Sequence, residues 1–437
     1  MFFLYSLLFT IAFLLMTPLF LIRQGKYGAG FWQRLGRYPE FRQDDRPVIW
    51  LHCVSVGETN AARPLVDEIK QKMPGYRLVV STTTKTGQKL AKDIFKDKAE
   101  MVFYFPFDWR FTVRRALKTF KPKVVLLMET ELWFNFLREG YKSGAQIIIV
   151  NGRISEKSFR RYSLIGTFMK RVLVYVEAAL MQDNASAKHL MKLGARGSKV
   201  KVSGNLKFDH NLGDDEMALT NEFRNRFHIR SDAPLFIAAS THAPEEKWLL
   251  EAFRTVWKNS HHGSLPRLMI APRHPERFSE VAALVKESGF DWVLRSEEPS
   301  GRDTSAEVIL LDSIGELRAA YPLAELVFVG GSLIPHGGQS ILEPAVWGKA
   351  IVTGHNTKNF QAVVDEFLSR EALIQLPELG EKQVVAELTK TLGELLRDSG
   401  RRERLGESAR KVMERNRGAT AKTVEQIKFT VANPSQY

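Results

Sequence analysis

The stretch VIWLHCVSVGETNAARPL, residues 48–65, begins as an apolar run of strand length and then delivers a glycine followed at once by an acid, Glu58. Continuous Val/Ile/Leu runs of this kind suit a parallel strand covered on both faces. Open α/β sheets carry their functional groups just beyond the carboxyl ends of such strands, where glycine permits a bend and a close backbone approach. Glu58 stands at that position. It is a candidate general base if burial or neighbouring negative charge lifts its acidity toward neutrality. A glutamate in the first turn of a helix also complements the helix dipole without any catalytic duty.

The pattern repeats outward from this stretch. RLVVSTT (77–83), KVVLLME (123–129) and QIIIVNG (146–152) alternate with helical patterns such as 60–73 and 86–96, which reads as a doubly wound α/β domain. A second series follows at LFIAAS (235–240), RLMIAP (267–272), EVILLD (307–312), LVFVGG (326–331) and AIVTG (350–354). The polar break DHNLGDDE (209–216) between the series reads as a linker. The expected organisation is a transmembrane anchor (1–22), a basic membrane-proximal segment (23–46), a first Rossmann-like domain (47–210), a second (211–415) and a C-terminal tail (416–437). Substrates are expected in a cleft that the two domains face.

Phe2–Ile22 contains no charged side chain and has the length of a helix that crosses hydrocarbon, with Pro18 as a kink. A cleaved signal peptide is the competing reading, but no basic residue precedes the run and no small-residue cleavage site follows it. Arg23, Lys26, Arg34 and Arg37 come directly after, which keeps the rest of the chain on the cytoplasmic side and against anionic head groups. Phe31 and Trp32 are candidates for the same membrane contact, or for packing on the anchor. Lys and Arg number 63 against 49 Asp and Glu, so anionic partners are favoured. The single cysteine, Cys53, cannot form an internal disulfide, and no Cys/His spacing suggests zinc.

Glu129 and Glu131 end the strand KVVLLME. On an extended segment two acids one residue apart point to opposite faces, so one at most is expected at the site, and Glu131 is preferred. STTTKTGQK (81–89) has a strand-turn-helix look but lacks the P-loop glycine and lysine pattern. In the second half, FVGGSLIPHGGQSILEPA can hold an anion on backbone N–H groups. Ser340 and Glu343 equally have the spacing of a capping box. APRHPER (271–277) sets Arg273, His274 and Arg277 at a strand end, as phosphate ligands or solvated charges. Lys207 closes the first domain as a cation for an anionic substrate.

Taken together, HCVSVGE (52–58), STTTKTG (81–87), METELW (128–133), NGRISEKSFRRY (151–162), VSGNLKFD (202–209), STHAPEE (240–246), APRHPERF (271–278), IGEL (314–317), FVGGSL (328–333) and LEPAVWGKAIVTG (342–354) resemble the Kdo transferases. Members of that family move 3-deoxy-D-manno-octulosonic acid (Kdo) from CMP-Kdo to lipid A precursors at the bacterial inner membrane. The resemblance implies a GT-B fold, inversion at the anomeric carbon, and neither cofactor nor catalytic metal. It implies a single-pass enzyme of the inner membrane with cytoplasmic catalytic domains on an anionic leaflet. Carried over by position, it makes Glu58 the general base, with Glu131 as second catalytic acid. Donor contacts fall on Lys207, Pro272, Arg273, Ile314, Gly315, Glu316, Ser340, Ile341, Leu342 and Glu343. The chain departs from the family pattern at Gly338-Gln339-Ser340 and at Gly354-His355-Asn356 ahead of Asn359-Phe360, so no histidine contact to phosphate is carried over there. A GT-B transferase for another nucleotide sugar or lipid acceptor is the alternative. A membrane-anchored nucleic-acid-binding protein is a distant one, since no nucleic-acid-binding motif is evident and the positive charge is dispersed.

Overall fold

The structure, a computed structural model of the chain, describes residues 1–22, 29–209, 214–230, 233–258 and 265–433, and leaves the side chains of 17–22 and 214–215 aside. Arg23 and Lys26, and residues 210–213 of the break at 209–216, lie outside the described residues.

The chain divides into two compact units. Met1–Asp209 together with Asn416–Tyr437 forms the first, and His210–Arg415 the second. The sequence reading makes 416–437 a separate tail, but the helix Ala419–Ala432 buries Ala419, Val424 and Ile427 in the first unit's core beside Ile49, Leu51 and Leu65. Its apolar residues recur at a spacing that the high charge of the preceding helices obscures.

The first unit holds a seven-stranded parallel sheet in the order β3-β2-β1-β4-β5-β6-β7. Its strands are β1 (Val48–Cys53), β2 (Arg77–Thr82), β3 (Met101–Tyr104), β4 (Pro122–Met128), β5 (Gln146–Gly152), β6 (Ala178–Met181) and β7 (Val200–Val202). Every residue of β1 and β2 is buried, as strands covered by helices on both faces must be. The sheet order reverses between β1 and β4, which are paired in parallel from Val48 to His52. Ligands of doubly wound sheets bind beyond the strand ends at such a reversal.

The second unit repeats the plan in the order β10-β11-β9-β8-β12-β13-β14. Its strands are β8 (Leu235–Thr241), β9 (Arg267–Pro272), β10 (Trp292–Leu294), β11 (Val308–Leu310), β12 (Leu326–Val329), β13 (Ala350–Thr353) and β14 (Ile374–Gln375). Here the reversal lies between β8 and β12, which pair from Phe236 with Leu326 to Ala239 with Val329. Two units of this kind are the components of the GT-B architecture.

The N-terminal helix α1 (Phe2–Ile22) is divided along its length in a way composition does not reveal. Phe2, Tyr5, Phe9 and Phe13, spaced three or four apart on one face, pack edge-on or tilted against Phe168, Phe134, Trp109 and Phe107 of the first unit. Polar bonds fasten the same face. The Tyr5 hydroxyl donates to Asp108 at 2.7 Å, Trp109 Nε1 donates to the Thr10 hydroxyl at 2.9 Å, and Asn135 Nδ2 donates to the Ser6 hydroxyl at 3.0 Å. The opposite face exposes Phe3, Leu7, Ile11, Leu14 and Leu15. Among the described residues no helix is long and apolar enough to cross a membrane.

Candidate functional site

Glu58 lies in the helix Val56–Ala61 that follows β1, with Ser55 as N-cap. Its carboxylate folds back on the turn that presents it. The Val54 amide donates to Oε2 at 2.8 Å and the Ser55 hydroxyl donates to Oε1 at 3.1 Å. A first-turn acid is the structural duty foreseen for Glu58, and these bonds also fix the carboxylate's position. Glu58 is 7% exposed. Burial, followed by the charges of Glu129 and Glu131 and against the opposing pull of the Val54 amide, pushes its carboxyl up to about 7.

Both acids of the β4 segment therefore raise the Glu58 carboxyl, and the extended geometry from which a single acid was preferred does not hold. The reason lies in the backbone. Glu129 has φ +55°, in the left-handed region, so the segment is not extended and its side chains do not alternate. A non-glycine residue in this region marks a conformation that its surroundings impose. Here the Glu129 amide donates to Val150 O at 3.0 Å, and Thr130 and Arg153 exchange two hydrogen bonds of 2.8 and 3.0 Å. Burial and then the Glu129 charge raise the Glu131 carboxyl above its ordinary value.

Lys207 belongs to this cluster. Its Nζ lies 3.5 Å from Glu129 Oε1. Asn151, itself at φ +54°, accepts the Leu206 amide at 3.0 Å through Oδ1, and Asn205 accepts the Lys207 amide at 3.0 Å, so the turn carrying the lysine is tied to the end of β5. The acids after β1 and β4 thus flank the sheet reversal with a cation beside them. The neighbouring His52 is fully buried, stacks on Phe105 at 3.9 Å and is driven by burial down to about 3, so it is neutral.

In the second unit, Pro272 ends β9 and Arg273 is exposed immediately beyond it, its amide donating to Thr241 O at 3.0 Å. Ile314 and Gly315, the latter at φ +89°, lie exposed after the adjacent strand β11. Glu316 is occupied. Arg295 donates to both of its oxygens, at 3.0 and 3.2 Å. The capping-box spacing at Ser340 and Glu343 is not used: the helix Leu342–Val346 has Ile341 as N-cap and no side-chain cap bond. Ile341 and Leu342 are buried in the core beneath this segment. Burial raises the Glu343 carboxyl, while Arg318 and Arg273 pull it back, which places Glu343 within electrostatic reach of Arg273. Arg277, by contrast, is spent on Glu246, through bonds of 2.7 and 3.2 Å, and on Glu280.

Sequence reasoning overlooked Glu245. This fully buried acid accepts the amides of Gly331, Ser332, Leu333 and His242 at 2.7 to 3.0 Å, and so shapes the loop after β12. Gly330 is required beneath it, because a Cβ there would lie 2.7 Å from Ser240 O and Thr241 Cα. Burial pushes the Glu245 carboxyl up to about 7. The only advance signal was an acid at the start of the helix after β8, in the stretch STHAPEE. Around this loop His242 lies 4.6 Å from His336 and 5.3 Å from His274, ring centre to ring centre. Among the described residues no group of three His, Cys, Asp or Glu is placed to hold a metal ion.

Comparison with known proteins decides the family. A 3-deoxy-D-manno-octulosonic acid transferase of Haemophilus influenzae is 31% identical over 409 residues, which cover 93% of this chain and 92% of that one. The chain belongs to the Kdo transferase family. Residues 29–210 match the family described as 3-Deoxy-D-manno-octulosonic-acid transferase (kdotransferase). A Kdo transferase of Bordetella pertussis is 28% identical across 87% of this chain and 86% of its own. Among solved structures, UDP-GlcNAc 2-epimerase from Neisseria meningitidis superposes with TM-score 0.59 at 12% identity, covering 88% of this chain and all of that one. A glycosyltransferase from Rickettsia africae reaches 0.54 at 13% identity over 90% of this chain and all of its own. At such low identity these two likenesses concern the fold, which is that of GT-B proteins. As a Kdo transferase the chain is a glycosyltransferase of lipopolysaccharide synthesis.

Proposed function

We propose that this protein moves Kdo from CMP-Kdo to a hydroxyl of the lipid A precursor lipid IVA, in one inverting displacement with Glu58 as general base. The carrying observation is a buried carboxyl at about 7, fixed at the sheet reversal with two further acids beside it. A base poised near the working pH abstracts a proton most effectively. Glu58 takes the proton of the acceptor hydroxyl, the freed oxygen attacks the anomeric carbon of Kdo, and CMP departs with the bonding electron pair. Glu131 holds negative charge beside Glu58 and keeps its basicity high.

The second unit is the donor side of this reading. Arg273 offers a planar fork to phosphate, and the exposed backbone at Ile314 and Gly315 follows the adjacent strand. Ser340 supplies a hydroxyl and Glu343 an acceptor for sugar hydroxyls, with Pro272 and the backbone of Ile341 and Leu342 shaping the floor. Glu316, tied to Arg295, serves through its backbone. Lys207 is reassigned from donor contact to balancing the acids of the first unit, on the strength of its approach to Glu129. No resident metal or cofactor has a part in the reaction, and no nucleic acid is a partner. The exposed apolar face of α1 and the basic residues after it fit attachment to the anionic inner leaflet of the inner membrane, with the catalytic units cytoplasmic.

Incubating purified protein with CMP-Kdo and the tetra-acylated acceptor tests the reading, with mass spectrometry reporting the added Kdo. Transfer from UDP or GDP sugars in place of CMP-Kdo overturns the donor assignment and favours another nucleotide-sugar transferase.

A further inference from the structure

A cavity of about 650 Å³ opens inside the first unit, in the size range of about 300–1,000 Å³ seen for sites that bury drug-sized ligands. One wall is α1, through Phe9, Ala12, Phe13 and Met16. Facing it are Phe105, Phe107 and Trp133, from the segments after β3 and β4. The remaining wall is the turn after β2, Thr83 to Thr86. The cavity therefore stands at the carboxyl ends of β2, β3 and β4, the same edge of the sheet that presents Glu58.

Its connection to Glu58 runs through the backbone of Val54. The amides of Thr83 and Thr84 both donate to Val54 O at 3.2 Å, while the amide of that same Val54 donates to the Glu58 carboxylate. Trp133 follows Glu131 by two residues on the opposite wall.

The charges on the lining are distributed with a purpose. Asp108 is withdrawn from solvent, one oxygen accepting Tyr5 and the Asn135 amide and the other the Phe136 amide. Arg34 donates to Thr83 O and lies over the ring of Tyr104 at 4.8 Å, and Lys85 opens the helix beyond the turn. The lining is thus an apolar slot with two cations and with its one carboxylate engaged. That combination fits an acyl chain attached to an anionic head. The outer surface of α1 continues the apolar path, with Phe3 82% and Leu15 74% exposed.

We infer that this slot holds an acyl chain of the phosphorylated glycolipid acceptor, so that α1 is part of the acceptor site and not only a tether. The inference rests on the proposed transfer to a lipid acceptor and adds where one of its chains is read. The chain would draw the acceptor's sugar hydroxyl toward Glu58, and Arg34 and Lys85 would meet its phosphate.

Two measurements test it. The first compares kcat/KM for the tetra-acylated disaccharide bisphosphate with kcat/KM for the same disaccharide bisphosphate stripped of its chains, in the full protein and in Ala12→Trp and Phe107→Glu. Each variant is expected to lower the ratio roughly tenfold, equivalent to about 1.4 kcal/mol. An unchanged ratio in both overturns the inference. The second uses an alkyl phosphate with a diazirine near the chain end, photolysed on the protein and mapped by mass spectrometry. Labels on Phe13, Met16 and Phe107 support the slot. Labels confined to Phe3, Leu7 and Leu14 mean that α1 meets only bulk lipid and overturn it. If the unaltered protein transfers Kdo to neither acceptor, the functional reading fails, and the labelling still decides the slot.

Discussion

Lys207 Nζ stands 3.5 Å from Glu129 Oε1, and through that pair the end of the first unit's chain reaches the acids that raise Glu58. Replacing Lys207 with Met leaves three carboxylates with less compensation. The acidic limb of the kcat/KM profile is then expected to move to higher pH by a few tenths of a unit, since the pair is partly exposed and screened. A profile that does not move removes Lys207 from the cluster's electrostatics.

Glu58→Gln keeps the shape and loses the base. Turnover is expected to fall by about 10²–10⁴-fold, while CMP affinity, read by calorimetry, stays within twofold. Near-normal turnover would remove Glu58 from the reaction.

The pH dependence has a definite sign. The base must be ionised, and its carboxyl is lifted from 4.5 to about 7. Below about pH 7, kcat/KM should therefore fall tenfold per unit toward the acid side. Stability runs the other way. A carboxyl raised by folding contributes stability below its unfolded value that is lost as pH rises from about 4.5 through 7. Glu58→Gln should accordingly be more stable than the parent protein at pH 8, by at most about 3 kcal/mol, and unfold at a higher temperature there, with the difference closing toward pH 5. Differential scanning calorimetry at the two values decides it.

Glu245→Gln leaves buried amide donors without their full acceptor, at about 1–3 kcal/mol for each unsatisfied group. Donor affinity is expected to drop at least tenfold as the loop after β12 loses its shape, while the acidic limb set by Glu58 stays in place. Affinity equal to the parent's would assign Glu245 to stability alone.

Chelation with EDTA is expected to leave turnover unchanged. A loss restored by a divalent cation would contradict the metal-independent reading.

The strands that fix the two sheets were legible because buried parallel strands are uninterrupted Val/Ile/Leu runs, as in VIWLHC and KVVLLM. Members such as β3, β7, β10 and β14 were not, because their two to four residues lie in no longer apolar run, whereas the equally short β11 and β12 sit within EVILLD and LVFVGG. Glu58 could be placed from the glycine before it, since a strand followed by a bend dictates where the acid stands. Glu129 could not, because the left-handed backbone at Glu129 goes with bonds from the Glu129–Thr130 segment to Val150 and Arg153, which meet it only in three dimensions. The packed face of α1 was hidden for a related reason. Both of its faces are apolar, so hydropathy does not distinguish the side that touches Trp109 from the side that does not.

Asp209, the last residue of the first unit before the chain departs, accepts the amides of Gly418 and Thr420 at 2.7 and 2.6 Å just after it returns. The second unit is in effect a long insertion whose entry and exit are clasped by one carboxylate. Deleting the last twenty residues would therefore strip a core helix from the first unit and leave the second unit's own sheet intact. Conversely, a short linker across the clasp should yield a free-standing first unit that keeps the sheet carrying Glu58.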